Sequence, residues 1–173
     1  MNPPVIVVMG VSGCGKSTVG AALASALGVE FVEGDAFHPP ENVARMAAGT
    51  PLTDADRAGW LRTLAAHIAQ AAPRGVVVSC SALKRSYRDV LREGSAALRF
   101  VWLDLPRAEL EARMARRTGH YMPASLLDSQ LATLEPPHAD EAAIRIDGTL
   151  ATDILVAEAL ARLGLATPSR TRP

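Results

Sequence analysis

Within "VIVVMGVSGCGKST", residues 5–18, an apolar run gives way to glycines, then a lysine, then two hydroxyls. Gly10, Gly15, Lys16 and Ser17 satisfy G-x-x-x-x-G-K-[ST], with Gly13, Cys14 and Thr18 completing the loop. Glycines there let backbone N–H groups close around phosphate oxygens, and a helix opening at Lys16 would aim its N-terminus at the same anion. Lys16 would reach the β and γ phosphates, and the Ser17 hydroxyl would take Mg²⁺. Cys14 reads as a small filler, since phosphoryl transfer requires no thiol.

A phosphate donor site needs an acceptor. In "EGDAFHPPENVARM" the carboxylates of Glu33 and Asp35, with His38, fall just after a short apolar run. Strand ends of this kind meet the ligand crevice in an open α/β sheet. A carboxylate there can orient a hydroxyl and take its proton, and a second can position magnesium through water. The alternative for Asp35 is a turn residue or cap, and for His38 a ring that bonds only backbone. Further on, Lys84 and Arg88 in "CSALKRSYRD" are four residues apart. That spacing puts both on one helix face, where they could clamp one anion or form an ordinary solvated basic face. Arg113, Arg116 and Arg117 fall at helical spacing just before Thr118-Gly119. A basic helix ending in a glycine break suits a lid over about residues 113–125 that carries positive charge to the transferring group, or else a surface helix with a glycine cap.

These groups need a frame, and the chain alternates short β-branched runs with helical segments. The runs are "VIVVM", "VEFVEG", "GVVVSC", "LRFVWLDL" and "AIRID"; helices are expected over about Lys16 to Leu27 and Asp54 to Ala71, with a last one after "AIRID". The pattern predicts a parallel sheet wrapped by helices. The first and third runs are apolar throughout, as strands covered on both faces should be. Leu61, Leu64, Ala65 and Ile68, and likewise Leu155, Ala159, Leu160 and Leu163, recur at helical spacing and are assigned to core. "DRAG", residues 56–59, opens a helix instead of ending a strand, and no N-K-x-D is present, so a guanine-nucleotide switch is excluded.

The 173 residues, 49% of them hydrophobic, are enough for one core of ordinary size. We expect one domain over residues 1–165 and a frayed tail over 166–173. Eighteen basic residues balance eighteen acidic ones, which argues against nucleic acid or a membrane surface as partner. The five-residue apolar run near the start follows no basic segment, so neither a signal peptide nor a membrane span is expected. Cys14 and Cys80 supply neither a disulfide framework nor a zinc site, consistent with the cytoplasm.

In order along the chain, "GVSGCGKST", "EGDAFHPPENVARMAAGTPLTDADRAGWL", "CSALKRSYRDVLR", "GHYMP" and "LLDSQLATLEPP" closely resemble the bacterial-type gluconokinases. These are small P-loop sugar-acid kinases related to shikimate and adenylate kinases. The resemblance spans about residues 4 to 163, and "GDAFHP", "PLTDADR" and "CSALKRSYRD" are its most specific parts. It implies a P-loop three-layer α/β fold with a five-stranded parallel sheet in adenylate-kinase-like order, a lid, and usually a homodimer. It also implies transfer of the ATP γ-phosphate to the 6-hydroxyl of D-gluconate, with Mg²⁺. By position, Gly13 to Thr18 would hold the nucleotide phosphates and Asp35 would contact the acceptor hydroxyl. Arg57, Lys84, Arg88, His120 and Gln130 would line the sugar-acid pocket, while Arg116 and Arg117 would serve the lid and the adenine face. The loop around Asp147 to Leu150 would pass beside the adenine. Glu33 stands where many related kinases have aspartate. The rival readings are a shikimate-like or nucleoside monophosphate kinase and, from another class, a nucleotide-binding regulatory module without turnover.

Overall fold

The computed structural model describes residues 2–117 and 124–166. Five strands, β1 (Val5–Met9), β2 (Glu30–Glu33), β3 (Val76–Ser79), β4 (Arg99–Asp104) and β5 (Ala143–Asp147), form one parallel sheet in the order β2-β3-β1-β4-β5. β1 therefore lies at the centre, paired with β3 and β4 on its two sides. Every residue of β1 and β3 is buried, so their apolar continuity reflects cover on both faces. The helices are α1 (Lys16–Leu27), α2 (Pro40–Ala47), α3 (Asp54–Ala71), α4 (Arg85–Arg92), α5 (Arg107–Arg116), α6 (Ala124–Thr133) and α7 (Thr152–Leu163). The apolar positions assigned to core in α3 and α7 are all buried. Among the described residues no helix is long and apolar enough to cross a membrane.

Local signals explain the elements nearest the crevice. Gly15 precedes α1 with φ of 94°, a left-handed conformation that costs a side chain strain but lets the loop turn directly into the helix. The first turn of α1 holds no acidic residue, leaving its N-terminal N–H groups available to an anion. α3 opens on a capping box: the Thr53 hydroxyl accepts from the Asp56 N–H at 3.1 Å, and the Asp56 carboxylate accepts from the Thr53 N–H at 2.9 Å. Two of the elements outside the sequence expectations lie around Asp35. α2 follows the double proline, with Pro40 in its first turn, and a 3₁₀ turn over Gly34–Phe37 leads out of β2. That turn runs so close to β3 that a Cβ on Gly34 would meet the Ser79 carbonyl oxygen at 2.0 Å. Trp60 of α3 fastens it from the other side, its indole N–H donating to the Gly34 carbonyl at 2.8 Å.

Candidate active site

The phosphate loop joins β1 to α1 and forms one wall of a cavity of about 380 Å³. Ser12, Gly13, Gly15, Lys16 and Ser17 line it on that side, facing Asp35, the α2 residues Val43, Met46 and Ala47, and Met114 and Arg117. Loop amides, two cations and a carboxylate thus share one space. The Lys16 ammonium donates to the Val11 carbonyl at 3.1 Å and makes no ion pair among the described residues, so its charge is available to an incoming anion. Cys14 is buried; its sulfur occupies the place a Cβ on Gly10 would need, which is the filler role expected of it.

The Ser17 hydroxyl donates to one oxygen of Glu33, and the other oxygen accepts from the Ser79 hydroxyl at 2.5 Å. Glu33 therefore ties the loop to the ends of β2 and β3. Hydroxyl and carboxylate oxygens are the donors Mg²⁺ prefers, and among the described residues no cluster of three or more His, Cys, Asp or Glu forms a protein-only metal cage. This donor set fits an ion held chiefly by phosphates and water, with Ser17 as its protein anchor.

A second cavity of about 360 Å³ lies on the other side of the loop, between Cys14, Gly15, Thr18 and the segment Gly148–Thr152 that leads into α7. The loop after β5 thus borders the phosphate loop, where the resemblance puts the adenine. The arginine found there is Arg113, whose guanidinium donates to the Gly148 carbonyl at 3.0 Å. Arg116 is exposed and lines neither cavity, whereas Arg117 lines the phosphate cavity. The glycine break and His120 lie outside the described residues.

The acceptor candidates separate. Asp35, with its side chain 69% exposed, reaches the phosphate cavity. Lys84 is the N-cap of α4 and not a member of it, so it shares no helix face with Arg88. Its ammonium pairs with Asp54 at 3.0 Å, beside Tyr87, whose hydroxyl donates to the same carboxylate. Those hydrogen bonds, from Tyr87 first and then Lys84, hold the Asp54 carboxyl below its usual range. Arg57 joins the group, donating to the Tyr87 hydroxyl at 3.2 Å and to the Leu52 carbonyl at 2.6 Å.

Three expected pocket residues are placed otherwise. Arg88 is fully buried: it forms a two-point pair with Glu141, at 2.7 and 3.2 Å, and donates to the Ala82 and Leu83 carbonyls. A guanidinium so enclosed lines no pocket, and the anion it holds is the protein's own. His38 has a side chain only 3% exposed and stacks on Trp60 behind Asp35. Gln130 of α6 reaches the phosphate loop, its carbonyl accepting from the Ser12 N–H at 2.7 Å and its amide donating to the Ser12 hydroxyl at 3.0 Å. Sequence reasoning assigns no site role to Asp54 or to the apolar wall of α2. The wall had a signal in the spacing of Val43, Met46 and Ala47, which share one side of a short helix that also carries Glu41, Asn42 and Arg45. Asp54 had none beyond a helix start.

The fold, with a phosphate loop feeding its first helix and a carboxylate across the cavity, defines the class: a P-loop phosphotransferase. A family model described as an AAA domain matches residues 5–137. The chain belongs to the gluconokinase family. It is 52% identical to the gluconokinase of Gluconobacter oxydans over 91% of this chain and 90% of the relative. A crystal structure of a gluconokinase from Sinorhizobium meliloti superposes with a TM-score of 0.85 at 52% identity, covering 94% of this chain and 92% of that one. The shikimate kinase of Bacteroides thetaiotaomicron, at 18% identity and a TM-score of 0.70 over 94% and 99% of the two chains, shares the fold.

Proposed function

We propose that the protein transfers the γ-phosphoryl group of ATP to the 6-hydroxyl of D-gluconate, giving 6-phosphogluconate and ADP. The observation that carries the reading is the single cavity in which the loop amides, Lys16 and Arg117 face Asp35. Phosphoryl transfer demands little covalent help from a protein; it demands alignment and charge on the equatorial oxygens. Here the loop amides and Lys16 hold the β and γ phosphates, and Arg117 brings a second cation to the transferring group. Asp35 aligns the acceptor hydroxyl and accepts its proton as the bond forms. The Ser17 hydroxyl would hold Mg²⁺, which would supply charge neutralisation to the phosphate oxygens. The adenine is assigned to the second cavity, beside Gly148–Thr152. Lys84 and Arg57 supply cations for the sugar acid's carboxylate at the far end of the acceptor side, and we read the active form as a cytoplasmic homodimer.

The test is ADP release measured with gluconate, shikimate, other sugar acids and nucleoside monophosphates in parallel. Gluconate is expected to dominate, and turnover mainly with shikimate or a monophosphate would overturn the assignment. In the same assay Asp35→Asn should lower kcat by at least about 10²-fold, the lower end of general-base contributions, with calorimetric ATP binding unchanged.

A further inference from the structure

Behind Asp35 lies a buried polar chain that the mechanism above does not use. His38 stacks on Trp60 with ring centroids 3.9 Å apart and planes inclined by 20°. Asn42 of α2, only 3% exposed, directs its side-chain nitrogen to the Asp56 carbonyl at 2.9 Å and to His38 Nδ1 at 3.2 Å. A backbone carbonyl can only accept, so the Asn42 atom facing it is the amide nitrogen, and that nitrogen can only donate. His38 Nδ1 must then present its lone pair, which places the ring proton on Nε2. Nε2 is 3.8 Å from Asp35 Oδ1, close enough to interact but too long for a hydrogen bond. Burial lowers the His38 pKa more than the Asp35 charge raises it, and Arg57 lowers it further, so the ring is neutral.

We propose that His38 is a positioning residue for Asp35: its Nε2–H, selected by Asn42, closes onto one carboxylate oxygen when the acceptor is bound and turns the other toward the acceptor hydroxyl. The inference rests on the reading of Asp35 as the acceptor-side carboxylate. A neutral donor suits this task, because an imidazolium would pair with Asp35 and weaken it as a proton acceptor. Catalytic contacts that are long without ligand and tighten in the productive complex are common. The Trp60 stack and the Asn42 bond fix the ring on α2 and α3, so closure requires movement only of the exposed Asp35 side chain.

Isosteres separate this role from simple packing. The amide nitrogen of glutamine can stand where Nε2 stands, whereas that of asparagine reaches only the Nδ1 position. His38→Gln should keep kcat within about threefold, while His38→Asn should lower it by about tenfold or more, as misplaced catalytic groups do, with the ATP KM unchanged in both. In an Asp35→Asn background His38→Asn should cause no further loss, because the two act as one unit. Equal kcat for the Gln and Asn variants, or additive losses in the double variant, would overturn the proposal. Nitrogen-15 NMR of the wild-type ring, expected to show the Nε2–H tautomer, tests it without any variant or substrate; an Nδ1–H tautomer would sink it. Failure of the Asp35 reading is visible separately, as retained turnover in Asp35→Asn alone.

Discussion

The two sides of the crevice are built by different means. On the phosphate side the ligand-facing groups are mostly backbone, and their positions follow from a short stretch of sequence: Gly13 and Gly15 take positive φ, and α1 begins at Lys16. On the acceptor side nearly every polar group is a side chain held by a partner far away in the chain. Lys84 meets Asp54, Arg88 meets Glu141, and Glu33 meets Ser17 and Ser79. A local motif can specify an anion cradle by itself, because conformation alone points the N–H groups. A pocket for a sugar acid needs groups of several kinds at once, and only tertiary structure can gather them.

Lys16→Ala should have the largest effect on catalysis. It removes a point charge that makes no ion pair in the described structure and contributes no core packing, so folding should be intact. The expected fall in kcat is about 10³-fold, the upper end of what a single transition-state donor contributes. Steady-state phosphorylation beside a thermal melt checks it. If the variant turned over normally, the contrast between the two sides would lose its phosphate half.

Arg88→Ala probes the acceptor side at its most buried point, where the expected readout is stability. Breaking a buried pair leaves an uncompensated charge and typically costs about 3–5 kcal/mol. Two residues in left-handed backbone conformation, Ala82 at φ 47° and Ala142 at φ 51°, flank this network, and Arg88 and Arg92 bond to carbonyls beside them. The pair therefore sets the loop that carries Lys84. Burial alone would raise the Glu141 pKa; hydrogen bonds from Arg88 and the His138 N–H, with the charges of Arg88 and Arg92, outweigh it and bring the value down to about 2. A carboxyl depressed in the folded state stabilises it above the ordinary value of 4.5, and that contribution is lost as pH falls toward 2. Removing Arg88 should thus lower stability at neutral pH and move acid unfolding to higher pH. Joint replacement, Arg88→Met with Glu141→Leu, should recover much of the loss in urea titrations. A single variant as stable as wild type would show that the network holds nothing in place.

What could be read from the sequence follows the same division. The strands were legible because a buried parallel sheet writes itself as apolar runs, and β1, β3 and β4 are such runs. The lysine and hydroxyls of the phosphate loop were legible because their spacing is their geometry. Arg88 was misread because helical period reports which face a residue is on, not what lies opposite; its partner is 53 residues away. The helix face expected to carry both Lys84 and Arg88 fails because α4 starts one residue later than the charge spacing assumes. His38 has ligand chemistry, but its side chain is buried in a stack on Trp60 of α3 and does not line the cavity. Gln130 bonds Ser12 across 118 residues, a contact no local pattern encodes.

Lys84→Ala is expected to give the smallest effect and the sharpest comparison, because it should touch one substrate only. Its ammonium pairs with an exposed carboxylate, Asp54, and such surface pairs contribute about 0–1 kcal/mol to stability. The fold should therefore barely notice the change. Asp54 is also an easily replaced partner: a substrate carboxylate can take its place on Lys84 without a buried charge being exposed or stranded. A hydrogen bond to a charged group contributes about 1.5–3 kcal/mol, which corresponds to a rise in gluconate KM of about 10- to 100-fold. The ATP KM should stay within about twofold, since the loop amides and Lys16 are untouched, and kcat should change less than KM because the carboxylate is remote from the transferring group. Steady-state kinetics with each substrate varied in turn reads both constants. Equal rises for gluconate and ATP would mean that Lys84 acts through the fold, as Arg88 does, and the acceptor side would then contain one structural cation more and one ligand-binding cation fewer.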